Sequence, residues 1–163
     1  MVSTKLNDRM QLLGMLAIVA SLLFVGLQIK QSQDIAIASQ YQSRAESAMN
    51  YHLTGMEAGM SNAFFRTTPI EQMSPEQFNY GVSSNLWSWI NLDNNYFQYQ
   101  AGFMTDEAWI PYRQQISVLY ARCSNRWIYE EFRRPRARGS FSELLDSMND
   151  PCTPEDKTPP WER

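Results

Sequence analysis

The stretch MQLLGMLAIVASLLFVGLQI, residues 10–29, holds no formal charge over twenty positions. The residues that follow it, KQSQDIAIASQYQSRAESA (30–48), contain neither proline nor glycine. At about 1.5 Å of rise per residue, twenty residues cover roughly 30 Å, the thickness of a bilayer's hydrocarbon layer. Summed on an insertion scale, the Leu, Ile, Val and Phe side chains favour transfer by roughly −3 to −6 kcal/mol, before Gln11, Ser21 and Gln28 are charged against them. The segment reads as a transmembrane helix near the amino terminus.

Three alternatives compete with that reading. A cleaved leader would use Ala36-Ile37-Ala38 as its small-residue site, but that site lies past Lys30 and Asp34, an unusually long and charged approach. The core helix of a soluble protein is seldom apolar on every side for so long. A helix lying in the interface needs a polar face, and this run has none.

Beyond the span, Ala38, Tyr41, Ala45, Ala48, His52 and Met56 recur every three or four residues, while Gln40, Arg44, Glu46 and Asn50 occupy other faces. The spanning helix therefore continues as an amphipathic one. Gly14, Ala17 and Ser21 share one side of the membrane segment and would let another helix backbone approach closely. His52, on the apolar stripe, reads as a hydrogen-bonded core residue.

The rest of the chain carries helix punctuation throughout. A segment from Met56 to Arg66 places Met56, Met60, Ala63 and Phe64 together and ends at Thr67-Thr68-Pro69. Ser74-Pro75-Glu76-Gln77 combines an N-cap serine, proline at the first helical position and glutamine at the third. Phe78, Val82, Leu86, Trp89, Ile90, Asp93, Tyr96 and Phe97 follow at helical spacing up to Gly102, a C-terminal stop. Thr105-Asp106-Glu107 opens another helix, in which Pro111 predicts either a kink or a true start near Ile110. Its stripe runs through Ile116, Leu119, Tyr120, Cys123, Trp127 and Ile128, ending before Pro135. Ser140-Phe141-Ser142-Glu143 reads as a capping box for a short helix through Met148.

These signals predict an all-α chain divided into a tail (1–9), a transmembrane helix (10–29), a helical extension (30–55), a helical bundle (56–150) and a flexible, proline-rich tail (151–163). Aromatic residues make up 13 % of the chain, which favours packed structure over disorder. The net charge of −3 offers no global field for nucleic acid, so no nucleic-acid partner is expected.

The ordered set LAIVASLLFVGLQIKQSQ, SQYQ, MSPEQF and NNYFQYQAGFMTDEAWIPYR, followed by a tryptophan in the next helix, resembles a widespread group of uncharacterised bacterial single-pass membrane proteins. In that group an apolar helix leaves the membrane through a V-Q-I-R-Q-like exit and leads into a helical domain. The likeness covers about residues 12–145. It implies one N-terminal membrane helix in the bacterial inner membrane, a helical domain and no established activity. Members tend to carry acidic residues before the span and arginines after it, which leans the domain toward the cytoplasm. Here Lys30 stands where an arginine is usual, and Lys5 and Arg9 sit on the opposite flank.

Chemistry-bearing residues are sparse. His52 is the only histidine and no Glu-x-x-His pair is present, so neither a metal nor a cofactor is expected. Cys123 and Cys152 read more readily as two unrelated thiols than as a bridge, which would need an oxidising compartment. The corner holding Asn94, Asn95, Tyr96, Tyr99 and Trp109 could enclose a ligand or partner, though packing of the helix junction explains the same residues. Arg126, Arg133, Arg134, Arg136 and Arg138 crowd thirteen positions and could meet anionic lipid or an acidic partner, or form a solvated helix end. The expected function is a non-enzymatic, membrane-anchored accessory or interaction subunit; the rival is a small-ligand sensor signalling through the exit helix. Its expected partners are the lipid bilayer and other membrane-protein subunits or a second copy.

Overall fold

The structure, a computed structural model, describes residues 2–60, 68–69 and 72–163, with side chains from residue 7 onward. The chain is all-α. Among the described residues there are five α-helices and no strand: α1 (Val2–Glu57), α2 (Pro75–Gln100), α3 (Asp106–Tyr120), α4 (Arg126–Ile128) and α5 (Gly139–Asp146). The chain divides into two units, Met1–Ala48 and Met49–Arg163.

The first unit is the greater part of α1. No residue from 7 to 36 is buried against protein, and within this helix lies a window long and apolar enough to cross a membrane. Leu13, Leu16, Leu22, Leu23 and Phe24 are each more than half exposed, a surface that water solvates poorly and lipid solvates well.

The second unit begins with the last turns of α1. The helix runs unbroken past Gly55 and stops at Gly59, whose φ of +64° is open to glycine at little cost. There the Met60 amide donates to the Gly55 carbonyl and the Gly59 amide to that of Met56, closing the last turn. The helical extension expected to end at residue 55 thus belongs to a helix that ends at Glu57, with Gly55 inside it. The remainder of the helix expected to Arg66 lies outside the described residues.

Helix α2 starts as its sequence dictates. The Gln77 amide donates to Ser74 Oγ at 3.3 Å and the Ser74 amide to Gln77 Oε1 at 2.8 Å, completing the capping box. It ends at Gly102 (φ +78°), where the Phe103 amide donates to the Gln98 carbonyl. Thr105 caps α3 by accepting from the Ala108 amide, so that helix begins at Asp106 and runs through exposed Pro111. Only the bond that residue 111 would have donated is lost, on a face open to water.

Two expectations are corrected beyond this point. The stripe from Ile116 does not continue as one helix. It breaks at Ala121 into a 3₁₀ turn (Cys123–Asn125), α4, a π-helical turn (Tyr129–Arg133) and a second 3₁₀ turn (Arg134–Arg136). The wider π turn carries Tyr129 into the core beside Trp89, ring centroids 4.6 Å apart. The capping box expected at Ser140 does not form, because α5 begins two residues earlier, with Arg138 at the cap position, and the Ser140 hydroxyl donates to Gln100 Oε1.

The core is Trp89, Leu92, Met104, Trp109, Ile116, Leu119, Tyr120, Tyr129, Phe141 and Leu145. Each large side chain removed from water contributes about 1.5–3 kcal/mol. The tail, expected to be flexible, is pinned. Cys152 is bridged to Cys123, Pro159 is buried, Lys157 pairs with Asp150 at 2.7 Å, and the Trp161 ring stands edge-on to Trp127 at 5.0 Å.

Candidate functional site

The buried face of α2 is unusually polar: Gly81, Ser84, Asn85, Trp89, Leu92, Asp93, Asn95 and Gln98. This face is rotated from the stripe the spacing predicts, leaving Ile90 and Phe97 nearly half exposed. It keeps Asp93, which lies on that stripe too. Its side chain is inaccessible to solvent, and a buried carboxylate persists only with charged or hydrogen-bonding partners. Arg133 Nη2 donates to Asp93 Oδ2, Arg138 Nη1 donates to Oδ1 at 3.1 Å and to the Asp93 carbonyl at 3.2 Å, and the Arg138 amide approaches Oδ2 at 3.4 Å.

A second hub forms around Arg126, which is 1 % exposed. Its Nε donates to Glu130 at 2.9 Å, Nη1 to the Tyr120 carbonyl at 2.8 Å and Nη2 to Asp150 at 3.1 Å. The guanidinium lies 3.4 Å from the centre of the Tyr120 ring, a cation–π contact inside the protein. Glu130 also accepts from Arg134, whose other nitrogen grips both oxygens of Asp146. Burial pushes the Asp150 carboxyl up. The Lys157 hydrogen bond, the Cys152 amide and the charge of Arg126 outweigh that and hold it below its usual value.

The arginine-rich stretch is therefore not one open basic patch. Arg126 faces the core and cannot reach a membrane surface, which corrects its place among candidate lipid contacts. Arg133, Arg134 and Arg138 are each paired to a carboxylate, and Arg136, exposed, donates to the Phe132 carbonyl. Asp93, Glu130, Asp146 and Asp150 thus face four of the five arginines, all but Arg136.

The aromatic corner is assembled as packing. Trp109 is buried, stacked on Tyr99 at 5.0 Å and tilted against Tyr96 at 5.5 Å, and Tyr96 in turn meets Phe141. The Tyr99 hydroxyl donates to Asp106 at 2.9 Å, so the carboxylate pushes that phenol's ionisation upward. The two asparagines part company: Asn94 is exposed, whereas Asn95 is buried and donates to the Asn91 carbonyl. Gly14, Ala17 and Ser21 are exposed along α1.

Two further readings are corrected. His52 is exposed, its ring edge-on to Tyr51 at 5.4 Å, and not a core residue. Cys123 and Cys152, read as separate thiols, form a disulfide with Cα atoms 5.1 Å apart. Helical spacing carried Cys123 along the α3 stripe, and the break at Ala121 turns it toward the tail instead.

Sequence reading missed the junction between the end of α1 and α2. Tyr51 stacks face to face on Trp87 at 4.0 Å, 2° from parallel, and its hydroxyl hydrogen-bonds Ser84. Gly55 lies against the Tyr80 ring, where a Cβ would collide with the phenolic oxygen. Among the described residues no group of three His, Cys, Asp or Glu side chains could hold a metal ion. Compared with protein-family models, curated proteins and solved structures, the chain matches none.

Proposed function

We propose that the chain is a non-enzymatic, single-pass membrane protein whose helical domain serves as an accessory or interaction subunit of a larger membrane assembly, in a bacterial inner membrane as the resemblance implies. The observation that carries this reading is α1. A charge-free span and the first turns of the domain belong to one helix of 56 residues, whose apolar stretch is left uncovered by protein. Four carboxylates of the domain support the non-enzymatic part, because Asp93, Glu130, Asp146 and Asp150 are paired with arginine or lysine, and both cysteines with each other. Gly14, Ala17 and Ser21 would meet a neighbouring membrane helix, from another subunit or a second copy. Purification of the full chain in mild detergent, with identification of co-eluting proteins, tests the proposal. A chain that elutes alone, and washes off membranes in alkaline carbonate, would overturn it.

A second reading, a small-ligand sensor, is favoured by the stacked junction of Tyr51 and Trp87, which would convert rotation of α1 into displacement of α2. Insertion of two or three glycines near Gln40 separates the two. Signalling requires stiffness and is abolished, whereas tethering tolerates the slack.

A further inference from the structure

We infer that Cys123 and Cys152 are an oxidative modification site, closed after the domain has crossed the bilayer, which places residues 49–163 on the oxidising, extracytoplasmic side. The crossing rests on the proposed anchor; the modification itself does not.

The two Cα atoms lie 5.1 Å apart, within the range that a disulfide spans without backbone movement. Cys152 is buried at 8 % exposure and Cys123 is half-buried, so one sulfur of the bridge is packed inside the domain. The tail that it fastens is otherwise held by one ion pair, Lys157–Asp150, by the Trp161–Trp127 contact and by buried Pro159. Cys152 and Pro159 are its buried side chains, few against the backbone entropy of an ordered segment. A cross-link over a sequence separation of 29 residues removes much of that freedom from the unfolded chain. Once fastened, the segment keeps Asp150 on Arg126 and Trp161 on Trp127. Such bonds persist in oxidising compartments and are rare in the cytosol.

The charge pattern leaves this side open. Lys5 and Arg9 precede the span and Lys30 and Arg44 follow it within the window that governs orientation, two cations at each end. The arginines from 126 to 138 lie far outside that window. The bridge therefore outweighs the lean toward the cytoplasm that the resemblance implies.

Closure requires an oxidant, here a Cys-x-x-Cys disulfide oxidoreductase. The thiolate of one cysteine attacks its disulfide to form a mixed disulfide. The thiolate of the other displaces the oxidoreductase, forming the Cys123–Cys152 bond. Two protons leave the substrate thiols, and the electron pair reduces the oxidoreductase to its dithiol.

The test uses the full chain in its own membrane. Cells are quenched in acid, denatured and treated with a maleimide mass tag, with and without prior reduction. No tag before reduction and two after it is the expected result; two tags without reduction would overturn the modification. For the side, Glu107→Cys in a Cys123→Ser/Cys152→Ser background places one thiol at an exposed position, reactive whether or not the variant folds. Labelling by a membrane-impermeant maleimide in intact cells is expected, and labelling only after lysis would overturn the placement. Extraction with alkaline carbonate separates the two proposals: a chain that washes off while still bridged defeats the anchor alone, and a chain that stays with free thiols defeats this inference alone.

Discussion

Replacing Asp93 with asparagine keeps the shape of the side chain and removes the charge on which Arg133 and Arg138 converge. The Asp93 side chain is wholly inaccessible, that of Arg133 is 15 % exposed and that of Arg138 45 %. Arg138 can turn to water, so its half of the triad behaves as a surface pair and contributes below about 1 kcal/mol. Arg133 cannot do so freely. Deleting one partner of a buried pair costs about 3–5 kcal/mol, because the other charge is left uncompensated. We expect Asp93→Asn to destabilise the domain by about 3 kcal/mol, roughly a hundredfold in the unfolding equilibrium and a large share of the 5–15 kcal/mol typical of a domain. All five tryptophans lie between residues 87 and 161, so guanidinium unfolding of the full chain in mild detergent, followed by their fluorescence, reports on the second unit. The cycle of Asp93→Asn, Arg133→Gln and the double variant should show a coupling of about 1.5–3 kcal/mol. Additivity within about 0.5 kcal/mol would refute the argument, as would an equal loss from Arg136→Gln, which breaks only an exposed bond to a carbonyl.

Two further predictions concern acid and the α1 junction. The Asp150 carboxyl is held below its usual 3.8 in the fold, so its contribution is present above that value and is lost as pH falls through the lower folded pKa. Below about pH 4, Asp150→Asn should therefore flatten the decline of stability with acid seen in the unaltered chain; parallel curves for the two proteins would contradict it. Gly55→Ala should lower stability by about 1–3 kcal/mol by driving a Cβ into the Tyr80 hydroxyl, and Tyr80→Phe in that background should restore part of the loss in the same denaturation assay. No restoration would mean that the collision is not the cause.

What the sequence discloses depends on whether the signal is local. The α2 capping box, the Thr105 cap and the stop at Gly102 are legible because each is satisfied within four residues of itself. The membrane-length run is legible because composition alone defines it. The partners of the arginines were hidden, since Asp93 lies 40 residues from Arg133 and 45 from Arg138. A clue was nonetheless present: an aspartate on an otherwise apolar helical stripe requires a countercharge. Helical periodicity overran the break at Ala121 because α4 buries Trp127 and Ile128 seven and eight residues after Tyr120, a helical spacing. The bridge was missed for the same reason, because a cysteine assigned to a helix stripe is not sought at a tail. The Tyr51–Trp87 stack joins residues 36 positions apart, and neither carries any local mark of the other.

The solitary position of Asp93 has a consequence for how the chain finds its fold. Between Pro75 and Gln100 the only other acid is Glu76, at the solvent-exposed start of the helix. Sliding α2 by four residues in either direction would present Trp89 or Phe97 to the two guanidinium groups, and a slip of three would offer Ile90 or Tyr96. Each of these alignments strands two positive charges against a ring or an alkyl group, so one carboxylate indexes the helix like a single tooth on a ratchet and makes bundles misaligned by a turn costly.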